Sequence, residues 1–115
     1  MAQKVIVIDD EYAIASLLFQ HLLKKGFDVM ALASGTWLTE GLIKTDGVDL
    51  IITDYHMPEI DGKSIIEYLR RQGYRGKILL SSSVDVSRIE DMKVDAVIEK
   101  PYTLEEFTKV IEGLL

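Results

Sequence analysis

A chain of 115 residues has room for one domain, expected over residues 1–115, and can bury a core without cross-links. It contains no cysteine, which excludes disulfides, thiolate metal sites and thiol catalysis. Its formal net charge of −6 argues against non-specific binding to nucleic acid or anionic membrane, although solubility alone explains most of that charge.

The first apolar run, Val5–Ile8, is strand-like and ends in Asp9-Asp10. It is too short for a signal peptide behind the polar Met1–Lys4, and no run approaches the roughly 18 apolar residues of a membrane span. The cytoplasm is the expected location. Ala13, Ile14, Leu17, Leu18 and Leu22 then recur at helical spacing, and Gly26 closes that segment. Asp28–Ala33 reads as a weaker strand, Trp37–Lys44 as a short helix, and Thr45–Gly47 as a turn. Leu50–Thr53 is a strongly apolar strand that ends in Asp54. After the loop His56–Gly62 comes a helix with Ile65, Ile66 and Leu69 on one face. Gly73 and Gly76 bracket a turn, and Ile78–Leu80 is a buried strand running into Ser81-Ser82-Ser83. A polar helix is expected near Val86–Met92, and Ala96–Ile98 is a strand ended by Glu99-Lys100-Pro101. Thr103 and Glu106 form a capping-box pattern ahead of Leu104, Phe107, Val110, Ile111 and Leu114.

These are five strand–helix units. Continuous apolar strands alternating with helices imply an α/β fold with a parallel sheet covered on both faces. Right-handed crossovers make the open doubly wound sheet the expected arrangement. Ligands bind such sheets beyond the carboxyl ends of the strands. There stand Asp9, Asp10, Asp54, a serine run and Lys100. Three close carboxylates repel one another, and a hard cation removes the conflict. Mg²⁺ binds one or two carboxylates and completes its shell with water and phosphate oxygens. An ionised Asp54 can attack phosphorus, while Lys100, a serine hydroxyl and the cation stabilise the phosphoryl oxygens.

Four segments together, VIVIDDE at Val5–Glu11, LIITDYHMPEIDG at Leu50–Gly62, the hydroxyl residues after Leu80, and Lys100-Pro101, resemble the receiver domains of two-component signalling. The resemblance covers essentially the whole chain. It implies a flavodoxin-like sheet of five parallel strands in order 2-1-3-4-5 with five helices. It implies that Asp54 is the phosphoacceptor and a ligand of Mg²⁺ or Mn²⁺. Asp10 would be the more direct acidic ligand, Asp9 would act largely through water, and the main-chain carbonyl of His56 would complete the protein ligands. Counting from Asp54 favours Ser82 as the switch hydroxyl, with Ser81 the alternative. Lys100 would pair with the phosphoryl group across a cis Lys100-Pro101 peptide. The implied protein is a signalling switch that catalyses only its own phosphorylation and slow dephosphorylation. Its donor would be a histidine kinase or phosphotransfer protein. With no output domain in this chain, its output would be a changed contact with another protein or transfer to another histidine. A chemotaxis-type regulator and a phosphorelay carrier both fit.

Val97 occupies a position where receivers often carry an aromatic residue, which removes the usual aromatic coupling. Tyr102 stands where phenylalanine is common, with its hydroxyl expected to reach toward the surface. Asp61-Gly62 reads as a turn with glycine in a special backbone region. His21, Trp37 and Tyr102 read as packing residues. A phosphohydrolase with an aspartyl-phosphate intermediate would need a second aspartate two positions after its nucleophile, at the end of the first strand. Asp9-Asp10-Glu11 lacks that spacing. A nucleotide binder would need a phosphate-cradling loop there, and this loop is acidic.

Overall fold

The structure, a computed structural model, describes residues 2–83 and 92–115. Strands β1 (Lys4–Ile8), β2 (Asp28–Leu32), β3 (Leu50–Asp54), β4 (Lys77–Ser82) and β5 (Ala96–Glu99) form one sheet. All pairings are parallel and the order is β2-β1-β3-β4-β5, as the resemblance implies. The described helices are α1 (Tyr12–Lys24), α2 (Thr36–Thr39), α3 (Gly62–Arg71) and α4 (Leu104–Leu114). The polar helix expected over Val86–Met92 falls, Met92 apart, outside the described residues.

Side chains alternate across each strand, so every strand feeds two cores. Ile6, Ile8, Ile51 and Leu80 pack with Ile65 and Leu69 of α3 on one face. Val5, Val7, Leu50 and Ile52 pack with Leu22 of α1 and Phe107 of α4 on the other. Strand β3 is buried along its whole length, which is why it reads as a continuous apolar run. Each such aliphatic side chain contributes on the order of 2 kcal/mol.

Two expectations need correction. The helix expected over Trp37–Lys44 is only the four residues of α2. Gly41 adopts a positive φ of 72°, and the amides of Leu42 and Ile43 both fold back onto the Trp37 carbonyl. A left-handed glycine with such bonds ends a helix. Trp37 consequently stands 48% exposed instead of packing inward. His21 does pack as expected, edge-on to Phe107, with Nε2 2.7 Å from the Thr108 hydroxyl.

At the amino ends of β4 and β5, Arg70 clamps the margin of the sheet. Its guanidinium donates to the carbonyls of Lys93 and Tyr74 and to Asp95 Oδ2. Asp95 in turn accepts the Ile78 amide at 2.8 Å.

Candidate functional site

The two-residue period of the strands decides which side chains meet beyond their carboxyl ends. Val5 and Val7 lead to Asp9, Leu50 and Ile52 to Asp54, Leu79 to Ser81, and Ile98 to Lys100, all from the core face shared with α1 and α4. Asp54 pairs in register with Ser81. Asp9 follows Ile8, which pairs with Thr53, so Asp9 and Asp54 end adjacent strands at one level. Ser82 has the opposite parity, that of Leu80, and pairs with Glu99.

Asp9 and Asp54 are only 3% and 7% exposed, whereas Asp10 is open to solvent. One carboxylate oxygen from each of these three aspartates lies within 4.8 Å of the others. The Lys100 ammonium bridges two of them, 3.2 Å from Asp54 Oδ2 and 3.5 Å from Asp9 Oδ2. Main-chain amides hold the remaining oxygens of the buried pair. Asp9 Oδ1 accepts from Glu11 and Asp54 Oδ1 from Tyr55, each at 2.9 Å. The Tyr55 amide also donates to the Ser81 carbonyl, tying β3 to β4 at the site.

Burial pushes the Asp9 carboxyl up from its ordinary range, and the neighbouring Asp54 charge adds to that; the Glu11 amide and Lys100 only partly oppose it. Burial alone would lower the Lys100 pKa, but the charges of Asp9 and Asp54 overcome it and the net shift is upward. The ammonium therefore stays charged, yet one cation faces three carboxylates. The donors are all hard oxygens, one of the three carboxylates faces solvent, and negative charge is in excess. That donor set fits a Mg²⁺-like ion and not a soft metal.

His56 is exposed, its ring edge-on to Tyr55 with centroids 4.7 Å apart. The Lys100-Pro101 peptide is cis, as expected. Val97 is half-buried against the core on the α3 face. The Tyr102 hydroxyl, expected near the surface, is buried, because its ring stacks on Phe107 with centroids 5.8 Å apart. Burial also raises its pKa, with the Ser81 hydroxyl and Lys100 partly opposing.

Asp61 and Gly62 do not form the turn expected of them. Asp61 caps α3, its Oδ1 accepting the Ser64 amide at 2.8 Å. Gly62 is absent from the positive-φ glycines and matters for space. A Cβ there would lie 2.5 Å from the Asp54 carbonyl oxygen and 2.9 Å from Tyr55 Cα. The Asp-Gly pair was legible, but close approach of two backbones carries no sequence mark distinct from a turn. Gly62→Ala is expected to cost about 2 kcal/mol, since backbone atoms must shift to admit the methyl group. A thermal melt checks this; an unchanged Tm would mean that the loop yields freely.

Fold and site together define a doubly wound α/β domain with an acidic, lysine-bridged pocket at its topological switch point, between β1 and β3. The family model described as response regulator receiver domain matches residues 5–112. The chain is 30% identical over its full length to the alkaline phosphatase synthesis transcriptional regulatory protein PhoP of Bacillus subtilis. It is 32% identical, over 98% of its length, to the probable transcriptional regulator ycf27 of Porphyridium aerugineum. It spans about half of each of these relatives, 49% and 48%. The chemotaxis response regulator CheY4 of Vibrio cholerae shares the fold, with a TM-score of 0.89 at 22% identity and full coverage of both chains. TrrA of Thermotoga maritima, solved in complex with Mg²⁺–BeF, has a TM-score of 0.82 at 26% identity, covering 98% of this chain and 99% of that one. The chain belongs to the response regulator receiver family, the phosphoacceptor-aspartate switches of two-component systems. No described helix is long and apolar enough to cross a membrane.

Proposed function

We propose that Asp54 is the phosphoacceptor of this receiver and that residues 1–115 work as one unit around it. The observation that carries this reading is the convergence of Asp9, Asp10 and Asp54 oxygens within 4.8 Å, with the Lys100 ammonium 3.2 Å from Asp54. The phosphoryl group comes from a histidine kinase or phosphotransfer protein in the cytoplasm. The bond from phosphorus to an Asp54 oxygen forms as the donor's bond breaks, and the donor keeps the electron pair. Lys100 pairs with the phosphoryl oxygens. Asp10, Asp54 and the His56 main-chain carbonyl would hold Mg²⁺ or Mn²⁺, with Asp9 acting through water, and the bound ion would offset the charge of the carboxylates and the phosphoryl group.

Ser82, which counting along the sequence favours, is the switch hydroxyl, and Ser81 is the alternative. Ser81 is in register with Asp54, and its side chain leaves the sheet on the same face. The phosphoryl charge biases the loops after β3 and β4, and output follows as a changed protein contact. The chain acts on no substrate other than its own phosphodonor.

Intact-mass analysis after incubation with acetyl phosphate tests the reading. One labile phosphate is expected with Mg²⁺ and none with EDTA. Equal labelling in both would remove the metal from the scheme. Sustained phosphate release from generic esters would favour a phosphohydrolase.

A further inference from the structure

Strand β2 is an outermost strand of the sheet, and its free side is unguarded. The Asp28 amide donates to the Gln3 carbonyl and the Leu32 carbonyl accepts from the Asp9 amide, so Asp28, Met30 and Leu32 turn their main-chain groups toward β1. Alternation then turns the amides and carbonyls of Val29 and Ala31 outward, where no described strand meets them. Edge strands are ordinarily blunted by lysine, proline or a bulge. The segment DVMAL has neither residue, and its register with β1 is unbroken. The side chains beside this edge are apolar as well. Met30 is exposed, and by the parity it shares with Leu32 it projects on the α3 face. Leu38 and Ile43 seat α2 and its closing turn on that face, and the same segment exposes Trp37 and Leu42.

We propose that β2 is a self-association edge: two copies of this chain pair antiparallel about a two-fold axis at Met30. Val29 of each copy then faces Ala31 of the other, and each such pair exchanges both of its N–H···O bonds. Met30 faces its own counterpart, and Asp28 meets Leu32, so no like charges stand directly opposite. The arrangement closes on itself, whereas β2 against the opposite edge, β5, would run on into open fibres. Met30, Trp37 and Leu42 cover much less than the roughly 800 Å² per partner of a stable interface, so the pair is weak, with a Kd on the order of 100 μM. The net charge of −6 on each copy opposes association, and salt screens it.

Trp37 is the chain's single tryptophan, so its emission reports on the patch directly. The test follows mass by sedimentation together with that emission, on the whole chain, from about 10 to about 500 μM protein in about 0.05 and about 0.5 M NaCl. In wild type the mass is expected to rise toward that of a dimer, the emission to shift to the blue in step, and both effects to be larger at high salt. Met30→Lys sets two ammonium groups face to face and is expected to weaken association about ten-fold. Ala31→Pro deletes an outward amide that β1 does not use, at a place where an edge strand accepts proline, and is expected to act comparably. Should that variant fail to fold, Met30→Lys decides alone. Leu23→Lys makes the same charge change at an exposed leucine of α1 and should leave association unchanged. A wild type that stays monomeric throughout overturns the pairing and leaves the edge to a partner of different sequence. So does a dimer that survives Met30→Lys, one that Leu23→Lys dissolves, or one that forms without a shift in Trp37 emission.

Discussion

Asp54→Asn is expected to abolish labelling by acetyl phosphate while leaving the protein folded. Asparagine keeps the Oδ1 acceptor that the Tyr55 amide uses at 2.9 Å, so the β3 end retains its local bond. It removes the anionic oxygen that would attack phosphorus, and no neutral amide replaces that nucleophile. It also deletes one of three mutually repelling carboxylates. The metal-free protein should therefore be as stable as wild type or more stable by about 1 kcal/mol, the size of one such repulsion in a wet site. Intact mass reads the first effect and a melt the second. A mass gain equal to that of wild type would hand the acceptor role to another residue.

The second large effect is on stability. Lys100→Met removes the ammonium that bridges Asp9 and Asp54 and leaves two nearly buried carboxylates facing each other. The expected cost at pH 7 without metal is about 3 kcal/mol, the low end for breaking a buried ion pair. For a domain of this size that is a drop of roughly 10 °C in Tm. The pH dependence has a definite sign. Burial raises the Asp9 pKa in the folded protein above the ordinary 3.8, so protonation of Asp9 favours the folded state. Acidification from pH 7 toward 4 should then narrow the gap between variant and wild type, and Mg²⁺ should narrow it too. In wild type the Lys100 contribution, arising from a raised pKa, is fully present below the ordinary 10.5 and fades as pH climbs through the folded value. A variant as stable as wild type at pH 7 without metal would mean that water already screens the pair.

Much of the site was legible because each of its residues follows an apolar strand. Four of the five strands end in chemistry-bearing residues, and a parallel sheet collects strand ends without further instruction. Counting from Asp54 favours Ser82, but both serines follow the same apolar run, so the count leaves Ser81 as the alternative. The choice depends on the register of β4 against β3, a long-range pairing that local composition does not carry. Trp37 went astray for a related reason. Its apolar character suggested packing, but the left-handed Gly41 ends α2 before a second turn can carry the segment over the sheet. Tyr102 shows the converse. Its ring packs as expected, but its hydroxyl suggested an outward reach, while the stack on Phe107 leaves that oxygen buried.

The clamp around Arg70 lies at the margin of the sheet opposite the carboxylates. There one guanidinium joins the end of α3 to the residues that open β5, and Asp95 hands the connection on to β4. A plate riveted along one side bends only at its loose side. Rearrangement prompted at Asp54 must therefore spread sideways through the loops around it, reaching neighbouring surfaces and leaving the far border still.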